Sequence, residues 1–309
     1  MSSNAHVPVL LGPVLQGLKI KPDGCYVDGT FGRGGHSGEI LQQLNANGRL
    51  IAIDRDPEAI AAAPGKLTDD PRFELIRGEG AQLKTLIDAK GLAGRIDGLL
   101  FDLGVSSPQL DAAERGFSFM RDGPLDMRMD PSAGIPAREW LAKVDEVELK
   151  RVLRKYGEEP SAARIARAIV AARAVTPIER TGQLAAIVES TATARGRKKH
   201  PATRTFQAIR IHLNRELEQL EAILAQSIDV LREGGRLCVI SFHSLEDRIV
   251  KRFMRDASRE PEQYRGMPNV PEAFRPKLKI IGKAIKATAE EIAANRRARS
   301  ARLRIAERI

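Results

Sequence analysis

The segment that most constrains the fold of this chain is DGTFGRGGHS, residues Asp28–Ser37. It follows an apolar, strand-like run and opens a helix-like one, and it places four glycines within seven residues. Glycine allows positive φ and a close approach of the backbone to a ligand. A helix that begins there directs free N–H groups and a partial positive charge at that ligand. The pattern is typical of a βα crossover that holds a nucleotide-like cofactor.

Two acidic residues help to indicate which cofactor the glycine loop binds. The dinucleotide fingerprint G-x-G-x-x-G requires a third glycine where Ser37 stands. Asp28, directly before the loop, is typical of folds that bind S-adenosylmethionine (SAM), where the acid lies near the cationic methionyl end. Asp54 ends a second strand-like run about 20 residues after the glycines, a spacing suited to accept hydrogen bonds from ribose hydroxyls. These residues predict a nucleoside site and leave NAD and SAM both open.

Apolar runs alternate with helix-like segments through the first third of the chain. The predicted strands end at Asp28, Asp54, Ile76 and Asp102. Apolar strands that alternate with helices predict a parallel sheet covered on both faces. Since ligands of such sheets bind at the carboxyl ends of the strands, Asp28, Asp54 and Asp102 are expected to share one crevice.

The alternation stops after the fourth strand. Residues 109–201 contain helix-like segments and no convincing strand. After them we predict one long amphipathic helix over 205–231, a fifth strand over 236–241 and a helix over 246–255. A flexible loop over 261–276 and two closing antiparallel strands, over 277–285 and 300–309, complete the prediction. The domains are therefore 1–108 and 205–309, which form the sheet domain, and 109–204, a helical insertion for substrate recognition.

Composition limits the classes of protein. The 309 residues are 42% hydrophobic, which fits a globular protein, and the net charge of +10 favours a polyanionic partner or a basic surface that serves only solubility. The two cysteines, Cys25 and Cys238, lie in apolar strand-like runs and are expected to be small core residues. No metal-ligand cluster is visible, so no metal is predicted. No leader pattern and no apolar run of membrane-spanning length occur, so we expect a cytoplasmic protein.

Five longer motifs carry a resemblance to a known family. They are DGTFGRGGHS at residues 28–37, DLGVSSPQ at 102–109, ERGFSF at 114–119, HPATRTFQ at 200–207 and SFHSLEDR at 241–248. In these motifs, and over almost its whole length, the chain resembles the MraW/RsmH family. Members are bacterial SAM-dependent methyltransferases that act on the N4 amine of a cytosine of 16S ribosomal RNA near the decoding centre.

The resemblance implies an α/β fold of class I, Rossmann-like, with a mainly parallel sheet and an inserted all-helical domain. It implies SAM as the cofactor and 16S rRNA as the partner, within a small ribosomal subunit or an assembly intermediate. The cofactor-binding residues that it implies, together with Asp28, are Gly34, Gly35, His36, Asp54, Gly80, Asp102 and Gln109. Two positions depart from the family: Gly80 stands where an aromatic is frequent, and Gly12-Pro13 stands where acids are common.

The reaction chemistry can be examined from the residues themselves. Methylation of a ring carbon needs a thiolate nucleophile, and neither cysteine lies in a loop at the carboxyl end of a strand. Methylation of an amine needs only an aligned lone pair and acceptors for its N–H groups. Asp102 is the expected acceptor, held by the Ser106–Ser107 turn. Ser106, Ser241 and His243 are further candidates by position, and His243 is expected to be structural or positioning rather than a base.

Two basic segments are expected to contact RNA phosphates. The alternative for both is a solvated basic loop. The predicted contacts are Arg197, Lys198, Lys199 and Arg204 in the first segment and Arg296, Arg297 and Arg299 in the second. Phe117 and Phe119 either stack on an extruded base or pack as a lid on the insertion.

Two other functions are open at this stage. A dinucleotide-dependent oxidoreductase would use the same glycine loop, although Ser37 and the acids at the strand ends disfavour it. A non-catalytic RNA-binding assembly factor would keep the fold without the reaction. The sequence allows a homodimer without requiring one.

Overall fold

The computed structural model describes residues 8–191, 200–264 and 269–309. The chain divides into two compact units, Met1–Gly104 together with Leu217–Ile309, and Val105–Glu216. The second unit thus begins before Gln109 and continues beyond Arg204, the predicted bounds of the insertion.

The first unit is built on one sheet. The strands found in the described residues are β1 (Cys25–Asp28), β2 (Arg49–Asp54), β3 (Phe73–Arg77), β4 (Ile96–Asp102), β5 (Leu231–Ser241), β6 (Leu278–Ile280), β7 (Ile285–Lys286) and β8 (Arg302–Arg308). Their order is β3-β2-β1-β4-β5-β8-β6, and β7 also pairs with β8. Strands β1 to β5 pair in parallel, whereas β8 runs antiparallel to β5, β6 and β7. The predicted mainly parallel sheet with antiparallel closing strands is confirmed.

Helices cover both faces of this sheet. Those of the first unit are α1 (Leu11–Leu18), α2 (Gly35–Gln42), α3 (Pro57–Ala61), α4 (Gly65–Thr68), α5 (Leu83–Asp88), α12 (Glu216–Val230, of which Glu216 belongs to the second unit), α13 (Ser244–Ala257) and α14 (Ala289–Ala294). Because side chains alternate across a strand, Leu100 and Cys238 pack in one apolar cluster, while Leu99 and Val239 pack in the other. Burial on both faces explains why the strands are almost continuously apolar.

The second unit is helical, as predicted. Its helices are α6 (Ser107–Asp111), α7 (Ala137–Lys143), α8 (Glu146–Gly157), α9 (Ala162–Val175), α10 (Thr181–Thr191) and α11 (Ala202–Asn214). The Asp145 carboxylate caps α8 by accepting a hydrogen bond from the Glu148 amide at 2.7 Å. Among the described residues, no helix of either unit is long and apolar enough to span a bilayer.

The single long helix predicted over 205–231 is wrong. The chain forms α11 and α12 instead, and they are separated at Arg215, whose φ of 50° lies in the left-handed region. The Arg210 guanidinium binds the Glu216 carboxylate through two hydrogen bonds of 2.8 Å across this break. The sequence has no glycine or proline at the break, and the apolar periodicity continues through it. The sequence therefore predicted one continuous helix. The closing strand predicted over 277–285 is also divided, into β6 and β7, around Gly282, whose φ is 65°.

A buried ion cluster fastens α13 to the antiparallel strand β8. Asp247 in the first turn of α13 is 8% exposed. Its carboxylate accepts hydrogen bonds from Arg304 Nε at 2.7 Å and from Arg302 Nη1 at 3.0 Å. Burial alone would raise the pKa of Asp247, but the two guanidinium groups hold that pKa below its ordinary value. The ionised carboxylate therefore stabilises the fold.

We predict that Asp247→Asn lowers the free energy of unfolding by about 2 to 3 kcal/mol at neutral pH, because Arg302 and Arg304 lose their buried charge partner. Urea unfolding followed by circular dichroism measures this change. The difference in stability between the wild type and the variant should shrink as the pH falls below about 4. The Asp247 carboxyl has a lower pKa in the folded protein than in the unfolded chain, so acid protonates the unfolded chain first and favours unfolding.

The matched control is Asp256→Asn, which removes an exposed carboxylate of the same helix that pairs with Arg255. Its cost should stay within about 0.5 kcal/mol. Equal losses for the two variants would contradict a structural role for the cluster.

Candidate active site

The glycine loop lies across the carboxyl edge of the sheet. Its backbone is attached to two strands, since the Gly29 amide donates to Leu100 O at 2.9 Å and the Phe31 amide donates to Ile53 O at 3.0 Å. A Cβ on Gly29 would lie 2.0 Å from Phe101. The loop can therefore follow the edge closely only because Gly29 has no side chain.

Gly34 gives the loop its turn into helix α2. It is the N-cap of α2, and its φ of 74° is in the left-handed region that glycine adopts without strain. A Cβ there would also meet Leu67 at 2.7 Å and Phe31 at 2.8 Å. Gly35 and His36 begin the helix, whose first N–H groups have no acceptor within the helix. Cofactor binding by Gly34, Gly35 and His36 stays a prediction.

Asp54, at the end of β2, holds the same loop. Its Oδ2 accepts a hydrogen bond from the Gly32 amide at 2.7 Å, and its Oδ1 accepts one from the Asp56 amide at 2.9 Å. Burial raises the pKa of Asp54 despite these two donors. Each oxygen keeps a second lone pair, so the carboxylate is able to accept further hydrogen bonds from a ligand hydroxyl.

Asp28, at the end of β1, is an internal anchor. It is 1% exposed, and it accepts hydrogen bonds from Ser37 Oγ at 2.7 Å and from the Thr30 amide at 3.1 Å. Burial raises its pKa. The Ser37 hydroxyl that replaces the third glycine of the dinucleotide fingerprint is thus used to tie helix α2 to strand β1.

Thr30 connects two of the acids, a role that the sequence interpretation missed. Its hydroxyl oxygen accepts a hydrogen bond from the Asp102 amide at 2.6 Å, and its own amide donates to Asp28. A threonine within a glycine loop gives no separate sequence signal, because its partners lie on two strands far apart in the chain.

His36 is buried beside Asp102. Its Nε2 lies 3.0 Å from Val9 O, and since a carbonyl only accepts, Nε2 carries the proton in the neutral ring. Burial lowers the pKa of His36 to about 4, so the ring is neutral at physiological pH. Its unprotonated Nδ1 lies 3.8 Å from Asp102 Oδ2. The acceptor Nδ1 therefore faces the Asp102 carboxyl group across a distance too long for a hydrogen bond.

Asp102, at the end of β4, is the third of the predicted acids. Its side chain is 27% exposed, but Oδ1 is inaccessible and has no hydrogen-bond partner among the described residues. Burial, followed by the charges of Asp28 and Glu246, raises the pKa of Asp102 to about 8. Its carboxyl group is consequently poised to release a proton when a cation or a hydrogen-bond donor arrives.

Helix α13 follows directly after strand β5 and is capped by His243. The His243 Nδ1 accepts a hydrogen bond from the Glu246 amide at 3.4 Å, and Glu246 Oε2 accepts one from the Phe242 amide at 2.8 Å. The geometry thus gives His243 a capping role at the start of α13, and a positioning or catalytic role in the reaction stays a prediction. Ser241, the last residue of β5, is buried, and its hydroxyl donates to Arg302 O at 3.4 Å.

Ser106 and Gln109 belong to the second unit. The Ser106 hydroxyl accepts from the Gln109 amide at 3.4 Å, and Gln109 Oε1 accepts from the Ser106 amide at 2.9 Å. This is a capping box that starts α6, with Pro108 in its first turn. The catalytic role of Ser106 and the cofactor contact of Gln109 stay predictions.

Gly80 begins a short 3₁₀ turn after strand β3. A Cβ at this position would lie 2.3 Å from Ile223 Cδ1 and 2.7 Å from Ile223 Cγ1. Helix α12 thus fills the space on this side of Gly80. The Ala81 amide also donates to Gln219 of α12, at 3.0 Å. Ile223 of α12 therefore occupies space that a side chain at position 80 would need, and a cofactor contact of Gly80 stays a prediction.

The predicted RNA contacts are distributed over both units. Arg197, Lys198 and Lys199 lie outside the described residues. Arg204 of α11 donates to Glu158 O at 3.1 Å. In the first unit, the exposed Arg296 and Arg299 and the half-buried Arg297 form a short 3₁₀ turn before β8.

The aromatic residues of the ERGFSF motif pack within the second unit. Phe117 is 5% exposed. Phe119 stacks on the His200 ring at 4.3 Å and meets the edge of Phe206 at 5.1 Å. This geometry agrees with the alternative that Phe117 and Phe119 pack on the helical insertion, rather than with stacking on an extruded base.

The two cysteines are core residues. Cys25 begins β1 and Cys238 lies in β5, where it is fully buried. Burial raises the pKa of Cys25 to about 11 and that of Cys238 to about 12, so both are thiols at neutral pH. Neither supplies the thiolate that carbon methylation requires.

Fold and site together define the class of protein. Strands β1 to β5 follow the order 3-2-1-4-5 of dinucleotide-binding sheets, and the antiparallel strand β8 lies beside β5. Strands β1, β2 and β4 each end in an acidic residue. This is a class I, Rossmann-like methyltransferase. The chain belongs to the MraW methylase family, whose model matches residues 3–309.

Individual proteins resemble the chain to different degrees. It is 57% identical to the ribosomal RNA small subunit methyltransferase H of Shewanella loihica, over 99% of this chain and 98% of that protein. Among solved structures, it resembles an rRNA methylase from Streptococcus thermophilus, with 12% identity, a TM-score of 0.42 and 99% of both chains covered. It also resembles a SAM-dependent methyltransferase from Aquifex aeolicus, with 9% identity, a TM-score of 0.42, and 97% and 90% of the two chains covered.

We predict that Asp102→Asn alters the pH dependence of stability. Because the pKa of Asp102 is about 8 in the folded protein and about 3.9 when unfolded, the folded state binds more protons between these values. The wild type should therefore lose stability as the pH rises from about 4 to about 8. The variant should lack this loss and should be more stable than the wild type at pH 9. Urea unfolding at pH 6 and at pH 9 tests this, and parallel pH profiles would contradict the assigned environment.

We also predict that Gly80→Ala destabilises the protein by about 1 to 3 kcal/mol, because the new methyl group overlaps Ile223. Ile223→Val removes the overlapping Cδ1, so the double variant should lose less than the sum of the two single losses. Thermal unfolding of the four proteins measures the coupling. Strict additivity would show that helix α12 does not occupy this space.

Proposed function

We propose that this methylase transfers the methyl group of SAM to the exocyclic N4 amine of a cytosine in 16S ribosomal RNA. The observation that carries the proposal is Asp102, a carboxyl group at the crevice edge with a buried, unpartnered Oδ1 among the described residues and a pKa raised to about 8. The name of the Shewanella loihica relative, which is similar over nearly its full length, supports the choice of small-subunit ribosomal RNA.

The residues present fit SAM. Asp102 Oδ1 and Oδ2 and His36 Nδ1 are acceptors near one another, suited to an ammonium or an amine donor. The carboxylate of Asp54 is suited to accept hydrogen bonds from ribose hydroxyls, and the free amides at the start of α2 are suited to bind an anionic group such as a carboxylate. When bound, SAM supplies a methyl group on a positively charged sulfur, which needs no enzyme nucleophile.

The chain's own contribution to the reaction is orientation and proton acceptance. The lone pair of the cytosine N4 amine is conjugated with the ring, so an acceptor that binds its N–H group makes the nitrogen a better nucleophile. Ionised Asp102 is the proposed acceptor of that hydrogen bond and of the amine proton after transfer. A pKa near neutrality suits this general-base role.

The basic segments and the helical unit are proposed to hold the RNA. The helical unit would recognise a folded particle, a small ribosomal subunit or its assembly intermediate. A cytoplasmic location follows from that substrate. The homodimer that the sequence allows is a separate proposal, and sedimentation of the free enzyme tests it.

The experiment is transfer of labelled methyl groups from SAM to small-subunit RNA and to small-subunit particles, followed by nucleoside analysis. We expect N4-methylcytidine. Label on a ring carbon, on ribose or on protein would overturn the proposal. Asp102→Asn should lower kcat by at least about 100-fold at saturating SAM, whereas the control Asp23→Asn, at the opposite edge of the sheet, should leave kcat unchanged. Normal turnover by Asp102→Asn would remove Asp102 from the mechanism.

The two other functions weighed from sequence are not supported. A dinucleotide oxidoreductase conflicts with the methylase family and with Ser37, whose hydroxyl is bound to Asp28. An RNA-binding protein without activity would have no need of a carboxyl group kept partly dehydrated at the crevice edge, which costs stability.

A further inference from the structure

Helix α13 carries a basic stripe that neither predicted RNA segment includes. Arg248, Lys251, Arg252 and Arg255 are all exposed, and their spacing places them on one face of the helix. The acids of the first turn, Glu246 and Asp247, are buried on the other side. We call these four residues the α13 stripe.

The stripe starts at the active-site edge of the sheet. Helix α13 begins at Ser244, three residues after Ser241, the last residue of β5. At 1.5 Å per residue, Arg255 lies roughly 16 Å along the helix from Ser244. A βα helix runs back along its sheet, so the stripe leads from the crevice edge along the flank of the first unit.

A fifth cation extends the α13 stripe at the edge itself. Arg302 pairs in register with Ser241, and its side chain is 47% exposed while Nη1 binds Asp247 Oδ2 at 3.0 Å. Asp247 is buried and shared with Arg304, so its charge is largely compensated. The anchored guanidinium of Arg302 therefore keeps donors for a second partner, in a fixed position.

The net charge of this face is positive. In α13, the exposed acid is Asp256, and it pairs with Arg255. A phosphate backbone neutralises such a row of exposed cations with release of counterions. A regular row of cations without base-reading aromatics suits backbone contact that is independent of sequence.

We propose that the α13 stripe and Arg302 form a track that binds the phosphates of the RNA strand flanking the target nucleotide. This rests on the proposed function and adds to it the path of the strand outside the crevice. The track positions the substrate and takes no part in the methyl transfer itself. Its loss should therefore raise KM for RNA without changing kcat.

The test is the double variant Lys251→Gln/Arg252→Gln, measured with a small-subunit RNA fragment that the wild type methylates. Its affinity for the RNA should fall by about tenfold near physiological salt, and the slope of log affinity against log salt should lose about 1.4. SAM affinity, kcat at saturating RNA and melting temperature should stay at the wild-type values. The charge reversal Lys251→Glu/Arg252→Glu should weaken binding further.

The matched control is Lys19→Gln/Arg95→Gln. It removes one exposed lysine and one exposed arginine at the opposite edge of the same sheet. Equal RNA affinities for the control and the test variant would contradict the proposed track, but they would not contradict the proposed methylation of RNA. If the wild type transfers no methyl group to small-subunit RNA or to small-subunit particles, the proposed function fails, and the track fails with it.

Discussion

The site depends on a carboxyl group that the fold withdraws from water without supplying a partner for its buried oxygen. Asp102 lies at the end of a central strand, next to the neutral His36 and near the charges of Asp28 and Glu246. Such a group is costly in the free protein, and the cost falls when a cation or an N–H donor enters. The same Asp102 carboxyl group thus favours the binding of a positively charged methyl donor and of the N–H group of the target amine.

The rest of the first unit keeps that group in place. Asp28 and Asp54 use their carboxylates to fix the glycine loop and helix α2, through Ser37 and Gly32. Thr30 then joins the loop to the Asp102 amide. On the other side of the site, the cap formed by His243 and Glu246 sets the start of α13, and Asp247 locks that helix to β8. Asp28 and Asp54, which the sequence assigned to cofactor binding, therefore also have structural roles, as do Glu246 and Asp247.

Much of the fold could be predicted from the sequence, because the patterns that indicate its strands and helices lie within short segments of the chain. Apolar strands that end in acids and the glycine loop predicted β1 to β4 with ends close to those observed. The break at Arg215 was missed because a left-handed arginine between two amphipathic helices leaves the apolar period unchanged. Helix capping by His243 and the packing of Gly80 against Ile223 also escaped, since both depend on partners that only the folded chain brings together.

The state of Asp102 can be measured directly by calorimetry of SAM binding at pH 6.5 in two buffers of different ionisation enthalpy. With a pKa of about 8 in the free protein, Asp102 starts protonated, and the cationic donor should drive its ionisation, releasing close to one proton per SAM bound. Asp102→Asn should release none under the same conditions. Binding by the wild type without proton release would contradict the dehydrated carboxyl group on which the site depends.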